Sequence, residues 1–278
     1  MRKGCSADLL SAMNMNNIAV ANETIKITAE GFYEKDGKKI SLPECDYAAV
    51  TVYSPEKGAE LASKTVIPDA QFCQITVTTE DSFEASGRFE RPFVMNFANA
   101  HCPGGGFRLG ANAQEEALCR CSTLYASITS NAAKEMYVHN NTRINPVESD
   151  YMLYSPNVCV FRDNKCNLIS STFTAAVITL PAPNRRGAAI VASGSKIAEA
   201  MTRRIRIMLA IAFENGHKNL VLGAWGCGAF GNKPEDVSGY FRKVIIDEGY
   251  GKLFDNICFA IYGKETGRNY LAFKKTFS

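Results

Sequence analysis

Three consecutive glycines, then seven intervening residues, then a glutamine and two adjacent glutamates form the segment of this chain best suited to chemistry. They are Gly104, Gly105, Gly106, Gln114, Glu115 and Glu116. Glycines let backbone N–H groups approach a ligand, and the N-terminus of a following helix favours an anion such as phosphate. Adjacent glutamates at a helix start lie about 100° apart around its axis, so they should have different roles. The segment therefore predicts chemistry on a phosphorylated ligand.

The residues on either side of this motif predict the elements that hold it. Residues 91–99 read as a buried strand, and apolar residues recur at the helical interval from Ala117 to Ile128, which predicts a helix over 114–130. The motif is thus strand, loop, helix. The alternative is a surface turn whose glutamates only complement the helix dipole, but such a turn needs one residue of positive φ rather than three in a row.

A second glycine-rich loop has the same arrangement, between a predicted strand at 219–222 and a helix that starts at Pro234. Its residues are Gly226, Cys227, Gly228, Ala229, Phe230 and Gly231. The spacing also matches a dinucleotide-binding fingerprint, but that fold needs several further strands and only residues 263–278 follow Tyr262. Two such units in one domain instead favour two amide-lined walls around one diphosphate. Phe230 is expected to face the ligand, with a core phenylalanine at the base of the loop as the alternative.

Apolar strands that alternate with amphipathic helices predict an α/β fold whose sheet is covered on both faces. Residues 14–30 read as a helix, and Asp36-Gly37 predicts the turn of a small hairpin. The strand candidates are residues 48–53, 75–78, 92–98, 175–180, 219–222 and 257–262, and the further helix candidates are 114–130, 196–214 and 234–248. Ser193 or Ser195 is expected to cap the helix that begins at 196.

Composition limits the class of protein. The 278 residues, 46% of them hydrophobic, can bury one large core, and ten irregularly spaced cysteines predict reduced thiols and a cytoplasmic or nuclear location. No apolar run reaches the roughly 20 residues of a membrane span. A net charge of +3 is too small to favour nucleic-acid binding. The densest basic cluster, Arg203, Arg204 and Arg206, is expected to be the solvated side of a helix.

Two groupings of cysteine and histidine are weaker candidates for chemistry. His101 and Cys102 with Cys119 and Cys121 could suggest zinc, but the last two diverge by about 200° on a helix and cannot share one ion. No metal is therefore expected. Cys227 has no evident histidine partner in the sequence, so it is expected to be a thiol of the phosphate loop rather than a nucleophile.

Several motifs in one order resemble the poly(ADP-ribose) glycohydrolase family, most closely its short microbial-type branch. They are Gly-Gly-Gly with Gln-Glu-Glu, Val94 to Asn99, Tyr154-Ser155-Pro156 with Val160 to Asp163, Ala182-Pro183-Asn184, and Leu222 to Gly231. Residues 21–24 leading into 31–33 are similar too. The resemblance covers most of the chain and is weakest in the first dozen residues.

The resemblance implies one macrodomain-like catalytic domain over residues 1–278, a three-layer α/β/α structure with a mixed, mostly parallel sheet. Residues 1–70 would be a helical and hairpin extension packed on the core. The implied reaction is hydrolysis of the ribose–ribose bond of ADP-ribose polymers without a cofactor. Glu116 matches the catalytic acid and base, Glu115 and Asn99 match residues that bind the ribose, and Phe230 matches an aromatic that packs on it. The charge of Glu115 is expected to help keep Glu116 protonated.

Two other functions remain open at this level. The chain could bind ADP-ribose without cleaving it, although such a reader has no use for an acid at Glu116. It could also hydrolyse ADP-ribose from a protein side chain or a nucleobase. In each case the partner is an ADP-ribosylated macromolecule, and neither sequence-specific nucleic-acid binding nor a membrane is implied.

Overall fold

The computed structural model describes the backbone of residues 5–278 and the side chains from residue 16 onward. Its strands, numbered along the chain, are β1 Phe32–Lys35, β2 Lys38–Ser41, β3 Thr51–Tyr53, β4 Gln74–Thr78, β5 Phe93–Ala98, β6 Met152–Arg162, β7 Leu168–Pro181, β8 Asn219–Leu222 and β9 Asn256–Ala260. Seven of them form one sheet in the order β3-β6-β7-β5-β8-β9-β4. The β3-β6-β7 part is antiparallel, and every pairing from β7 to β4 is parallel.

Helices cover both faces of this sheet. They are α1 Cys5–Glu30, α2 Pro55–Lys64, α3 Ser82–Ser86, α4 Gln114–Cys121, α5 Leu124–Ile128, α6 Lys134–Thr142, α7 Gly194–Glu214, α8 Pro234–Arg242 and α9 Arg268–Phe277. Phe93 and Met95 of β5 pack into the apolar cluster that contains α7, α8 and α9, whereas Val94 packs into the cluster of α4, α5 and α6. Successive side chains of β5 therefore enter two different cores, one on each face of the sheet. This arrangement and the strand pairings confirm the predicted α/β/α layers and the mostly parallel sheet.

The helix predicted over 114–130 is in fact two helices. Ser122 is extended, with φ −151° and ψ 179°, and forms a β-bridge with Val160. The Thr123 amide donates to the carbonyl of Cys159 at 3.0 Å, and the Cys159 amide donates to Thr123 Oγ1 at 3.0 Å. The backbone therefore leaves the helix to pair with β6, a tertiary contact that helical periodicity does not encode.

Strand β6 lies outside the predicted strand candidates because Pro156 interrupts its pattern. The structure accommodates this proline at an irregularity, since the register with β7 shifts between Ser155 and Val158. The predicted hairpin and the other strands are present, and the Ser193 hydroxyl caps α7 by accepting from the Lys196 amide. Helix α8 ends at Arg242 and continues as a π-helical turn over Lys243–Asp247.

The N-terminal part packs on the core in two ways. Thr24 Oγ1 of α1 donates to the Arg120 carbonyl at 2.7 Å, and the Tyr33 hydroxyl donates to the Ile169 carbonyl at 2.6 Å. Strand β3, however, is an edge strand of the main sheet. Part of the predicted 1–70 extension therefore belongs to the sheet itself.

The expectation that the arginine cluster of α7 is solvated is wrong for Arg204, which is fully buried. Its Nε donates to Asp150 Oδ1 at 2.8 Å, and its Nη atoms donate to the carbonyls of Pro181, Val147 and Glu148. A buried guanidinium needs such acceptors because an unpaired charge in the core is very costly. Arg204 thus holds the end of β7 to the segment before β6.

Candidate active site

The topology brings the two glycine-rich loops to one edge of the sheet. Strands β5 and β8 are parallel neighbours, with Phe93 opposite Leu220 and Val94 opposite Val221. The loops that follow them therefore leave the sheet at adjacent carboxyl ends, where ligands bind in open α/β sheets.

The glycine loop closes directly over the two glutamates. Gly104 and Gly105 have φ of +73° and +54°, a conformation that disfavours any residue with a Cβ. A Cβ on Gly105 would lie 2.5 Å from Glu116 Oε1 and 3.3 Å from Glu115 Oε2. Glycine is required here by both the backbone angle and the space that the carboxylates occupy.

The backbone around Glu116 fixes its carboxylate. Gly106 N donates to Oε1 at 2.9 Å, and Ala113 N, at the residue before α4, donates to Oε2 at 3.0 Å. Other amides of the loop are also used internally, because Gly105 N donates to the Cys102 carbonyl and Phe107 N to the Gly104 carbonyl. Each of these amides therefore has an acceptor within the protein, and those of Gly106 and Ala113 orient the Glu116 carboxylate. That the first loop also lines a diphosphate stays a prediction.

Glu115 is held from the opposite side, by strand β5. Its Oε2 accepts from the Asn99 amide at 2.8 Å and its Oε1 from Asn96 Nδ2 at 3.3 Å. Burial, with only 3% of the residue exposed, raises the pKa of Glu115 to about 8, against the opposing effect of these hydrogen bonds. Glu115 therefore holds a proton near neutral pH, so the expectation that its negative charge keeps Glu116 protonated does not apply to this state.

The raised pKa of Glu115 predicts a pH-dependent stability. Between the ordinary value of 4.5 and about 8, the folded protein holds a proton that the unfolded chain releases, so the free energy of unfolding falls as pH rises. Glu115→Gln cannot ionise and should lose this slope, gaining on the order of 3 kcal/mol relative to wild type between about pH 5 and pH 9. Denaturant unfolding across this range measures it, and parallel curves for the two proteins would contradict the assignment.

Gln114 and Asn99 use their side chains mainly within the protein. Gln114 Oε1 accepts from the Phe97 amide at 2.9 Å, and its Nε2 donates to the Met95 carbonyl at 2.8 Å and to Ser82 Oγ at 3.0 Å. Asn99 Oδ1 accepts from the backbone amides of His101 and Cys102, just before the glycines, at 2.8 and 3.0 Å. Gln114 therefore positions α4 against β5, while Asn99 Nδ2, which makes no hydrogen bond to the described residues, remains free to meet a ligand.

Asn96 is a site residue that the sequence reasoning did not single out, although a polar residue inside a buried strand is a usable signal. It is fully buried, and its Nδ2 donates to Glu115 Oε1 and, at 3.1 Å, to Thr179 Oγ1. Its Oδ1 has no partner among the described residues. Asn96 therefore ties Glu115 to β7 from within the sheet.

The second loop is tied to the segment after β7. Asn232 Nδ2 donates to the Pro183 carbonyl at 2.8 Å, and Arg185 N donates to the Phe230 carbonyl at 2.9 Å. The amides of Gly228, Ala229 and Phe230 donate to no acceptor within the described residues, and the first two residues are exposed. This loop thus has N–H groups available to an anion, and its binding of a diphosphate stays a prediction.

Known proteins resemble this chain in sequence and in fold. Residues 21–163 match the family described as microbial-type PARG, catalytic domain. A crystal structure of poly(ADP-ribose) glycohydrolase (PARG) from Thermomonospora curvata is 35% identical, with a TM-score of 0.88 over 95% of this chain and 100% of that one. The chain belongs to the microbial-type PARG family.

Two other solved structures similar to this PARG family member carry ligands. The Thermomonospora curvata enzyme bound to the inhibitor ADP-HPD is 35% identical, with a TM-score of 0.85 over 94% of this chain and 99% of that one. The Deinococcus radiodurans PARG in complex with ADP-ribose is 32% identical, with a TM-score of 0.78 over 85% and 98%. No curated protein sequence matches the chain significantly.

Two residues of the second loop of this PARG family member are partly buried. Burial raises the pKa of the Cys227 thiol to about 12, so it is a poor nucleophile at neutral pH. Phe230 is half-buried: one part of its side chain packs against the main apolar cluster, as a core phenylalanine would, and the rest stays accessible. Among the described residues, no His, Cys, Asp and Glu side chains group as a metal site, and no helix is long and apolar enough to cross a membrane.

Proposed function

We propose that this member of the PARG family hydrolyses the ribose–ribose O-glycosidic bond of ADP-ribose polymers and releases ADP-ribose. The observation that carries the proposal is the pair of buried carboxyl groups, Glu115 and Glu116, against a glycine loop that leaves no side chain over them. The PARG structures that resemble the chain include complexes with ADP-ribose and with an inhibitor. We propose that residues 1–278 act as one catalytic domain.

Glu116 is the proposed acid and base. It gives a proton to the departing hydroxyl oxygen as the ribosyl C1–O bond breaks, and positive charge develops on the ribose. It then removes a proton from the water whose oxygen bonds to C1. The amides of Gly106 and Ala113 support this role because they hold the carboxylate in one orientation throughout.

Glu115 and Asn99 are the proposed ribose ligands. Since Glu115 holds its proton near neutral pH, it can donate a hydrogen bond to one ribose hydroxyl and accept one from another. Asn99, which lies between β5 and the glycines of the first loop, adds its Nδ2 group as a further hydrogen-bond donor to the ribose. The open face of Phe230 would pack on the sugar.

The second loop is the proposed diphosphate site. Its free amides at Gly228, Ala229 and Phe230 can donate to phosphate oxygens, as backbone amides do in other phosphate-binding loops. Cys227 contributes its backbone rather than its sulfur. No cofactor and no metal enter this reaction. A cytoplasmic location, with no direct nucleic-acid partner, stays a prediction from composition.

The proposal is tested by incubating the protein with three defined substrates: ADP-ribose polymer, mono-ADP-ribosylated protein and ADP-ribosylated DNA. Free ADP-ribose should be released fastest from the polymer. Release mainly from the modified protein or DNA would assign the site to a different linkage. Tight ADP-ribose binding without release from any substrate would make the protein a reader.

A further inference from the structure

Two adjacent arginines lie against the second loop without an acidic partner. Arg203, Arg204 and Arg206 of α7 pair with Asp150 and Glu248. Arg185 and Arg186, in contrast, lie beyond ion-pair distance of every carboxylate in residues 16–278. Cations left unpaired beside free backbone amides make a site for an anion.

The stem of Arg186 rests on the loop itself. A Cβ added to Gly231 would lie 3.0 Å from Arg186 Nε, 3.1 Å from Cγ and 3.5 Å from Cδ. Gly231 has φ +69°, so both the backbone angle and the arginine favour glycine there. Arg186 N also donates to Asn184 Oδ1 at 3.1 Å, which fixes the turn that carries it. Its guanidinium is thus held beside the loop whose amides are free.

Arg185 is tied to the same loop through its backbone, because its amide donates to the Phe230 carbonyl. Its Nε is buried and has no hydrogen-bond partner among the described residues. The cation lies near enough to the hydroxyl of Tyr240, on α8, to oppose the rise that burial causes in the pKa of that phenol. An unmet buried donor of this kind costs free energy unless a ligand or water completes it.

Two carboxylates follow the second loop in the sequence, at the start of α8. Glu235, at the start of α8, is paired with Arg268, whose Nε and Nη2 each donate at 2.9 Å. Asp236 follows it, and the charges of both carboxylates add to the effect of burial in raising the pKa of Cys227. Neither carboxylate forms an ion pair with Arg185 or Arg186 in the described part of the chain.

We propose that Arg185 and Arg186 bind the diphosphate of the ADP-ribose unit whose phosphates contact the second loop. This inference rests on the proposed function. The amides of Gly228, Ala229 and Phe230 position the phosphate oxygens, and the two guanidinium groups supply the counter-charge that neutral amides lack. Because the arginines are partly solvent-exposed, their contribution should weaken with salt.

The test compares Arg185→Gln, Arg186→Gln and the double variant with wild type. The matched control is Arg242→Gln, which removes the same charge from an exposed pair with Asp247 at the far end of α8. ADP-ribose affinity is measured by calorimetry at several salt concentrations. We expect each single variant to bind roughly fivefold more weakly and the double variant at least tenfold more weakly, with a shallower salt dependence. The control should behave as wild type.

The outcomes separate this inference from the proposed function. Wild-type protein that neither binds ADP-ribose nor cleaves polymer contradicts the proposed function, and the arginine inference falls with it. Wild-type binding and cleavage that stay unchanged in the double variant overturn only the role of the arginines. A raised KM for polymer with unchanged affinity for free ADP-ribose also overturns it, since the arginines would then contact a neighbouring unit of the polymer.

Discussion

Glu116→Gln should lower turnover of ADP-ribose polymer by about two to four orders of magnitude, because an amide has no proton to give the departing hydroxyl. The structure adds a second effect. Both oxygens of Glu116 accept from backbone amides, so the NH₂ group of a glutamine must face the N–H of Gly106 or of Ala113. We therefore expect this variant also to lose about 1–3 kcal/mol of stability. Single-turnover kinetics and denaturant unfolding measure the two effects separately.

Two further variants make the assignment of Glu116 specific. Glu116→Asp keeps an acid, but its shorter side chain cannot reach both amides, and a misplaced acid should cost about a hundredfold in turnover. Glu84→Gln is the matched control, since Glu84 is an exposed glutamate in the first turn of α3 and should retain full activity. The roles of the pair would be reversed if Glu115→Gln abolished turnover while Glu116→Gln stayed within tenfold of wild type.

Gly105→Ala should remove most activity although it lies in a loop and adds one methyl group. The new Cβ would stand 2.5 Å from Glu116 Oε1, so the carboxylate or the loop must move. Displacement of a catalytic group by about 1 Å can cost a hundredfold, and we expect at least that loss of turnover. The backbone angle of +54° adds roughly 1–2 kcal/mol of destabilisation.

Gly37→Ala separates backbone strain from this collision. Gly37 has φ +71° in the β1–β2 hairpin, and a Cβ there would meet nothing within 4 Å. Both variants should therefore lose similar stability, but Gly37→Ala should keep wild-type turnover. Equal activity of the two proteins would show that Gly105 is needed only for its backbone angle and not for the space above Glu116.

Local signals in the sequence were enough to predict most helices and strands and to recognise the glycine loop with its glutamate pair. Apolar strands, helix-start residues and the Asp36-Gly37 turn predict their own conformations, because each depends on side chains within a few residues. They failed where a distant segment competes for the backbone. Ser122 leaves a helix to pair with Val160, and Pro156 is tolerated in β6 because its pairing with β7 is irregular there.

The sequence by itself determined which groups meet at the site: two glycine loops at carboxyl ends of strands, and a glutamate pair at a helix start. Only the tertiary structure decided how those groups are used. The amides of Gly106 and Ala113 hold Glu116, because the glutamates fold back beneath the first loop, whereas the amides of Gly228, Ala229 and Phe230 in the second loop have no acceptor among the described residues. Glu115 itself holds a proton near neutral pH, because burial against β5 outweighs its hydrogen bonds. Burial and donor direction depend on residues far apart in the chain, so spacing alone could not reveal them.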